Sequence, residues 1–221
     1  MAQIDFIQSL HASTKRNYVQ RVVEHDKAES AEVARRFGRD YWDGERRYGY
    51  GGYRYDGRWR PIAERMVAHY GLKPGDRILD VGCGKGYLLY EFTRAVPGIE
   101  VVGLDISEYG IGDSKPEVRD RLTVGDATDL PFADGSFDFV VSLGTLHNLP
   151  VEGVFAALQE MQRVGRDARK YFMVESFRNE REKANLLYWQ LTCLSFHSPG
   201  SWAWMAEQAG YEGDLGFIYF E

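Results

Sequence analysis

The stretch "ILDVGCGKGYLL", residues 78–89, decides the reading of this chain. An apolar run ends at Asp80, a turn carries Gly82, Gly84 and Gly86, and a helical pattern resumes at Tyr87. That order predicts strand, tight turn, helix. Glycines without a Cβ let the backbone come close to a ligand, and the N-terminus of the helix presents unpaired N–H groups. A dinucleotide fingerprint has its glycines as G-x-G-x-x-G, whereas here the third comes one residue early. Asp80 beside the turn is a poor neighbour for a pyrophosphate. It suits a ligand with positive charge, such as a sulfonium or an amino group.

Working outward, "DRILDVG", "EVVGLDIS", "RLTVGDA", "SFDFVVSLG" and "KYFMVES" are short apolar runs separated by helix-length segments such as "VEGVFAALQEMQRVG". Strands alternating with helices predict βαβ units and a parallel sheet covered on both faces. "PIAERMVAHYGL" reads as a helix with Pro61 in its first turn and Gly71 as its stop. "SPGSWAWMAEQAGY" predicts a last helix and "LGFIYFE" a last strand. Upstream, the first forty residues read as helical, with "AESAEVARRF" stopping at Gly38. "YGYGGYRYDGRW", residues 48–59, then puts five large aromatics among glycines. The expected division is a helical and Tyr/Gly-rich lid segment over 1–60 and an α/β domain over 61–221.

With 221 residues the chain suits one well-cored domain with an extension. Hydrophobic residues make up 44% and aromatics 14%, a composition that folds rather than stays disordered. A formal net charge of −6 gives no general attraction to nucleic acid or anionic lipid. Cys83 and Cys193, the two cysteines, are too few for a disulfide framework and fit a reducing compartment. No apolar run has the length of a signal peptide or a membrane span, so a cytoplasmic location is expected. The five histidines lack the spacing of a zinc site, and no metal is expected.

The pattern D-x-G-x-G-x-G resembles the first motif of class I S-adenosylmethionine-dependent methyltransferases. "VVGLDIS", "VGDATDLPFADGSFDFVVS" and "GTLHNL" resemble later blocks of that family in the right order. The resemblance, over roughly residues 61–210, implies a Rossmann-like three-layer α/β/α fold. Its sheet would be mostly parallel with an antiparallel C-terminal edge, although after Gly210 the remaining eleven residues suffice for one strand. It implies S-adenosylmethionine as cofactor and S-adenosylhomocysteine as product. Asp80, Gly82, Cys83, Gly84, Gly86, Ile106 and Leu143 would bind the cofactor. Asp105 would accept from both ribose hydroxyls, Asp126 would lie against the adenine amino group, and Ala127 would supply a backbone N–H.

Methyl transfer is an in-line displacement, so positioning and water exclusion come first, with a general base for a hydroxyl acceptor. His147 and Glu175 follow strands at the cofactor edge and are the candidate catalytic residues; turn capping and pairing with Arg178 are their structural alternatives. Tyr50, Tyr53, Arg54, Tyr188, Trp189 and His197 are the candidate substrate-binding residues, although aromatics at helical spacing equally suit a core. Arg46, Arg54 or Arg58 would hold an anionic group. The expected reaction is methylation, on oxygen, of a small polar or anionic metabolite such as a sugar or phosphorylated compound. The alternatives are a methyltransferase acting on RNA or protein and a non-catalytic cofactor-binding partner subunit. A homodimer is compatible with this reading, and a membrane partner is not expected.

Overall fold

The computed structural model describes residues 1–12 and 16–221. Four short helices come first: α1 (Gln8–Ala12), α2 (Tyr18–Val23), α3 (Lys27–Ala34) and α4 (Arg39–Asp43). The helical expectation for the first forty residues is met there in part, and its segment 13–15 lies outside the described residues. Asn17 and Asp26 cap α2 and α3 by accepting backbone N–H bonds, which is why the pattern breaks into separate short helices. Helix α5 (Arg60–Tyr70) has Pro61 in its first turn and ends at Gly71 with φ +62°.

From there β1 (Arg77–Val81), α6 (Tyr87–Ala95), β2 (Glu100–Asp105), α7 (Glu108–Gly112), β3 (Leu122–Val124), β4 (Phe139–Leu143), α8 (Val151–Val164), β5 (Lys170–Ser176), α9 (Glu180–Trp189), α10 (Pro199–Gln208) and β6 (Asp214–Tyr219) follow, alternating except where β4 follows β3 and α10 follows α9. The six strands form one sheet in the order β3-β2-β1-β4-β5-β6, reversing direction of travel between β1 and β4. Ligands of open α/β sheets bind at such a switch point, outside the carboxyl ends of the strands.

Every pair in this sheet is parallel, and the expected antiparallel C-terminal edge is corrected accordingly. β6 runs beside β5 from Tyr171↔Asp214 to Ser176↔Tyr219. The physical reason is the connection: α10 carries the chain back across the sheet, and a crossover of that kind returns a strand parallel. The outer side of β6 is met by the N-terminal segment, where Ile4 N–H donates to Leu215 O at 2.8 Å and Leu215 N–H to Ala2 O at 3.0 Å. Backbone groups that an antiparallel strand would pair are thus partly satisfied by residues 2–4.

Side chains alternate along the strands, so each face has its own core. Leu79, Val140, Phe172 and Val174 face Leu158 and Met161 of α8 and Trp202 of α10. Ile78, Phe139, Val141 and Tyr171 face Ile62 and Met66 of α5 and Phe92 of α6. Phe6 and Ile7 join this second cluster, Phe6 at 4% exposure and edge-on to Tyr171 at 5.1 Å. Burying each contributes about 1.5–3 kcal/mol, so the N-terminal segment is packed into the core of the α/β layer. No helix among the described residues is long and apolar enough to cross a membrane.

Candidate active site

The glycine turn is held from two sides. Gly84 N–H donates to Asp105 Oδ2 at 2.7 Å and Ser107 N–H to Asp105 Oδ1 at 2.8 Å, so the carboxylate at the end of β2 fixes the turn after β1. Gly84 has φ +53°, and a Cβ there would meet the Trp42 ring at 2.7 Å. The close approach this glycine permits is therefore to the chain's own Trp42 ring. Trp42 donates its indole N–H to Ser107 Oγ at 2.8 Å and stacks on Tyr50 at 5.4 Å, with 11° between the rings. Tyr50 meets Tyr53 at 4.5 Å, and Tyr53 stacks on Tyr87 of α6 at 5.1 Å.

Lys85, inside the glycine turn, pins this aromatic row down. Its side chain is 1% exposed, and Nζ donates to Asp43 Oδ2 at 2.6 Å, Asp113 Oδ2 at 2.8 Å and Tyr53 O at 2.9 Å. Asp43 also accepts from the Tyr109 hydroxyl at 2.9 Å and the Tyr53 N–H at 3.0 Å. The Tyr/Gly-rich stretch is an ordered layer over the carboxyl edge of the sheet.

Two cavities lie beneath it. The smaller, about 180 Å³, is lined by Trp42, Asp105, Ile106, Asp126, Ala127, Leu143 and neighbours. Ile106 is 56% exposed there, an apolar face next to a carboxylate. Asp126 accepts from Thr128 N–H and Oγ1, each at 2.8 Å. The larger cavity, about 580 Å³, takes in Asp80, Gly82, Cys83, Gly84, Leu143, His147 and Glu175 along with Tyr50, Tyr53, Arg54 and Trp189. Gly82, Leu143 and Gly144 line both, so the cavities adjoin at the mouth of β1 and β4.

Electrostatics mark three groups in the larger cavity. Asp80 is 3% exposed, and burial together with the nearby Asp105 charge pushes its carboxyl up to about 8. No hydrogen bond or ion pair from a described residue reaches it. His147 is buried and pushed down to about 3, so its ring is neutral. Glu175 N–H donates to His147 Nδ1 at 3.3 Å, which places the ring proton on Nε2, 3.5 Å from Glu175 Oε2. Burial raises Glu175 to about 8, against a hydrogen bond from Gln190 and the Arg16 charge.

Of the residues expected at the site, Gly86 stands slightly apart. It caps α6 with φ +69° and packs toward Val118 and Leu122. Two expected substrate residues are placed elsewhere. Tyr188 is 41% exposed on the outer face of α9, and the His197 ring packs edge-on against Trp202 at 5.5 Å. Neither lines either of these two cavities: helical spacing turns Tyr188 away from its neighbour Trp189, and His197 is drawn to the α10 side. Arg58 reaches the cavity wall already paired with Asp56 at 2.5 Å. Sequence reasoning did not find Trp42, Lys85, Arg16, Arg21 or Gln190. Each acts through a contact distant in sequence that no local spacing signals.

A parallel sheet with its glycine turn after β1, an acid ending β2 and a cleft at the switch point is the arrangement that class I S-adenosylmethionine-dependent methyltransferases share, and this chain is similar to them. Residues 78–168 match the family described as "Methyltransferase domain". A stretch of 111 residues is 37% identical to sterol 24-C-methyltransferase ERG6B of Gibberella zeae, covering 46% of this chain and 29% of that protein. Another of 128 residues is 34% identical to demethylmenaquinone methyltransferase of Symbiobacterium thermophilum, covering 54% and 50%. The chain thus matches half or less of these relatives' own length. Among solved structures, a Haloferax volcanii chain from a complex with the Trm112 methyltransferase activator is 25% identical with a TM-score of 0.56, covering 67% of this chain and 66% of that one. The residues present fit the cofactor: a buried carboxylate without a cationic partner faces the cleft, and an exposed Ile106 beside Asp105 offers an adenine platform.

Proposed function

We propose that this chain moves a methyl group from S-adenosylmethionine to an oxygen of a small polar or anionic metabolite, with residues 1–60 serving as lid and 61–221 as catalytic domain. The observation that carries the reading is Asp80, a buried, unpaired carboxylate at the glycine turn where the two cavities adjoin. Asp80, Gly82, Cys83 and Gly84 would hold the methionine end. Asp105 would take the ribose hydroxyls, Ile106 the adenine face, and Asp126 and Ala127 its polar edge, with Leu143 between the halves. Bound there, the cofactor supplies an electrophilic methyl group.

The rest is work of this chain's own residues. The Trp42, Tyr50 and Tyr53 layer excludes water, and the larger cavity holds the acceptor. Glu175 in its ionised form, the minor form below pH 8, is the proton acceptor: as the new oxygen–carbon bond forms, the hydroxyl proton passes to its carboxylate. His147, neutral and accepting the Glu175 N–H at its Nδ1, positions Glu175 through that backbone bond rather than acting as the base; its Nε2 lies 3.5 Å from the Glu175 Oε2 without a hydrogen bond. The matched segment 78–168 contains His147 but not Glu175, Trp189 or the lid, so the acceptors in the relatives' names do not carry over to this cavity.

The test is proton release on cofactor binding. Asp80, mostly protonated below pH 8, must ionise to face a cation. Its pKa falls on binding, so affinity rises with pH up to about 8 and levels off above it. Calorimetry at pH 7 in buffers of different ionisation enthalpy is expected to give release of roughly one proton per cofactor. The same measurement on Asp80→Asn is expected to give almost none, and equal release from both proteins would refute the assignment.

A further inference from the structure

Three guanidinium groups converge on one indole at the far wall of the larger cavity. The Cζ atoms of Arg21, Arg46 and Arg16 lie 4.6, 5.2 and 5.4 Å from the centre of the Trp189 ring. They come from α2, the loop after α4, and the segment before α2, and all line the cavity with Trp189. Arg21 Nε donates to Trp189 O at 2.8 Å and Nη1 to Arg46 O at 3.4 Å; Arg46 Nη1 donates to Gly49 O. These bonds to carbonyls fix the guanidiniums without neutralising them. No carboxylate among the described residues pairs with Arg21 or Arg46.

Like charges gathered this closely repel. Burial and the Arg46 charge lower Arg21 to about 10, and burial lowers Arg46 and Arg16 as well. The stacking on Trp189 offsets only part of that cost. On the same cavity, Glu175 is 7% exposed with its Oε2 unsatisfied, so the Arg wall and an unpartnered polar group face one space. A planar fork of N–H donors matches the geometry of a carboxylate or phosphate.

Resting on the reading of this cavity as the acceptor site, we infer that Arg21 and Arg46, with Arg16 beside them on Trp189, form an oxyanion subsite, and that the methyl acceptor is a carboxylate- or phosphate-bearing compound whose anionic end binds there while its hydroxyl reaches Glu175. Trp189 is then a platform for arginines rather than a stacking surface for substrate. The N-terminal helices define acceptor specificity from outside the segment shared with other methyltransferases.

The experiment titrates the full chain, saturated with S-adenosylhomocysteine, with inorganic phosphate, acetate and benzoate at constant ionic strength, with chloride as comparator. The readout is the indole N–H resonance of Trp189, assigned through Trp189→Phe. A saturable shift with phosphate alone identifies a phosphate ester, with the carboxylates alone a carboxylic acid, and either supports the subsite. Arg21→Gln/Arg46→Gln is expected to weaken the bound anion at least tenfold while S-adenosylhomocysteine affinity stays within twofold. The inference is overturned if no oxyanion shifts the resonance more than chloride does, or if the double variant binds them like the wild type. The titration of unsubstituted protein decides even where the variant fails to fold. A failure to bind S-adenosylhomocysteine would instead count against the methyltransferase reading, and the same titration without it still decides the subsite.

Discussion

Replacing Asp105 with alanine is expected to lower the affinity for S-adenosylmethionine about 100-fold in a protein that still folds. Two effects add. The Gly84 and Ser107 N–H groups each lose a charged acceptor, at 2.7 and 2.8 Å, and the glycine turn loses its side-chain tie to the end of β2. Hydrogen bonds to charged groups are worth roughly 1.5–3 kcal/mol each, and the ribose would lose its own partner as well. A loss of about 3 kcal/mol corresponds to the stated factor. Circular dichroism would establish the fold and calorimetry the affinity. An affinity within threefold of wild type would show that Asp105 does not organise the cofactor cleft.

The second large effect is on the lid. Lys85→Met removes the cation between Asp43 and Asp113 and the donor to Tyr53 O. A fully buried pair broken from one side costs about 3–5 kcal/mol. Asp43 and Asp113 are 20% and 57% exposed, so water recovers part of that and about 2–3 kcal/mol remains. For a chain of this size the melting temperature should fall by roughly 5–10 °C. Cofactor binding should weaken with it, because Asp43 and Tyr53 carry the Trp42–Tyr50–Tyr53 row. Asp113→Asn, at the more exposed partner, should shift the melt by much less. An unchanged melting temperature for Lys85→Met would mean that the lid is held by its aromatic contacts alone.

What the sequence made legible follows the range of the interactions. The strand ending at Asp80, the glycine turn, the Pro61-to-Gly71 helix and the acid at 105 are local patterns, and the structure has them where the residues predict. The direction of β6 was not legible in that way. It depends on how α10 crosses the sheet and on residues 2–4 meeting the edge at Leu215, a contact spanning almost the whole chain. The same holds for the site. Asp80 and Asp105 announce themselves by position in a motif. The His147 tautomer, on which its proposed positioning role rests, depends on a backbone N–H of β5. Lys85 carries no signal of its own between the glycines, and its 2.6 Å contact with Asp43, 42 positions earlier, shows why a lysine stands there. The tyrosine-rich stretch had a compositional signal, but its direction of packing came from Trp42, outside the stretch and hidden in a short helix.

In the proposed reading the glycine turn, Asp80 and Asp105 build one S-adenosylmethionine cleft beneath the Trp42–Tyr50–Tyr53 row. Its most direct test is calorimetric titration of the unsubstituted chain with S-adenosylmethionine. Saturable binding of one cofactor per chain is expected, with a dissociation constant between about 1 µM and 1 mM, the range of typical enzyme–substrate constants. Absence of binding at several millimolar would contradict it.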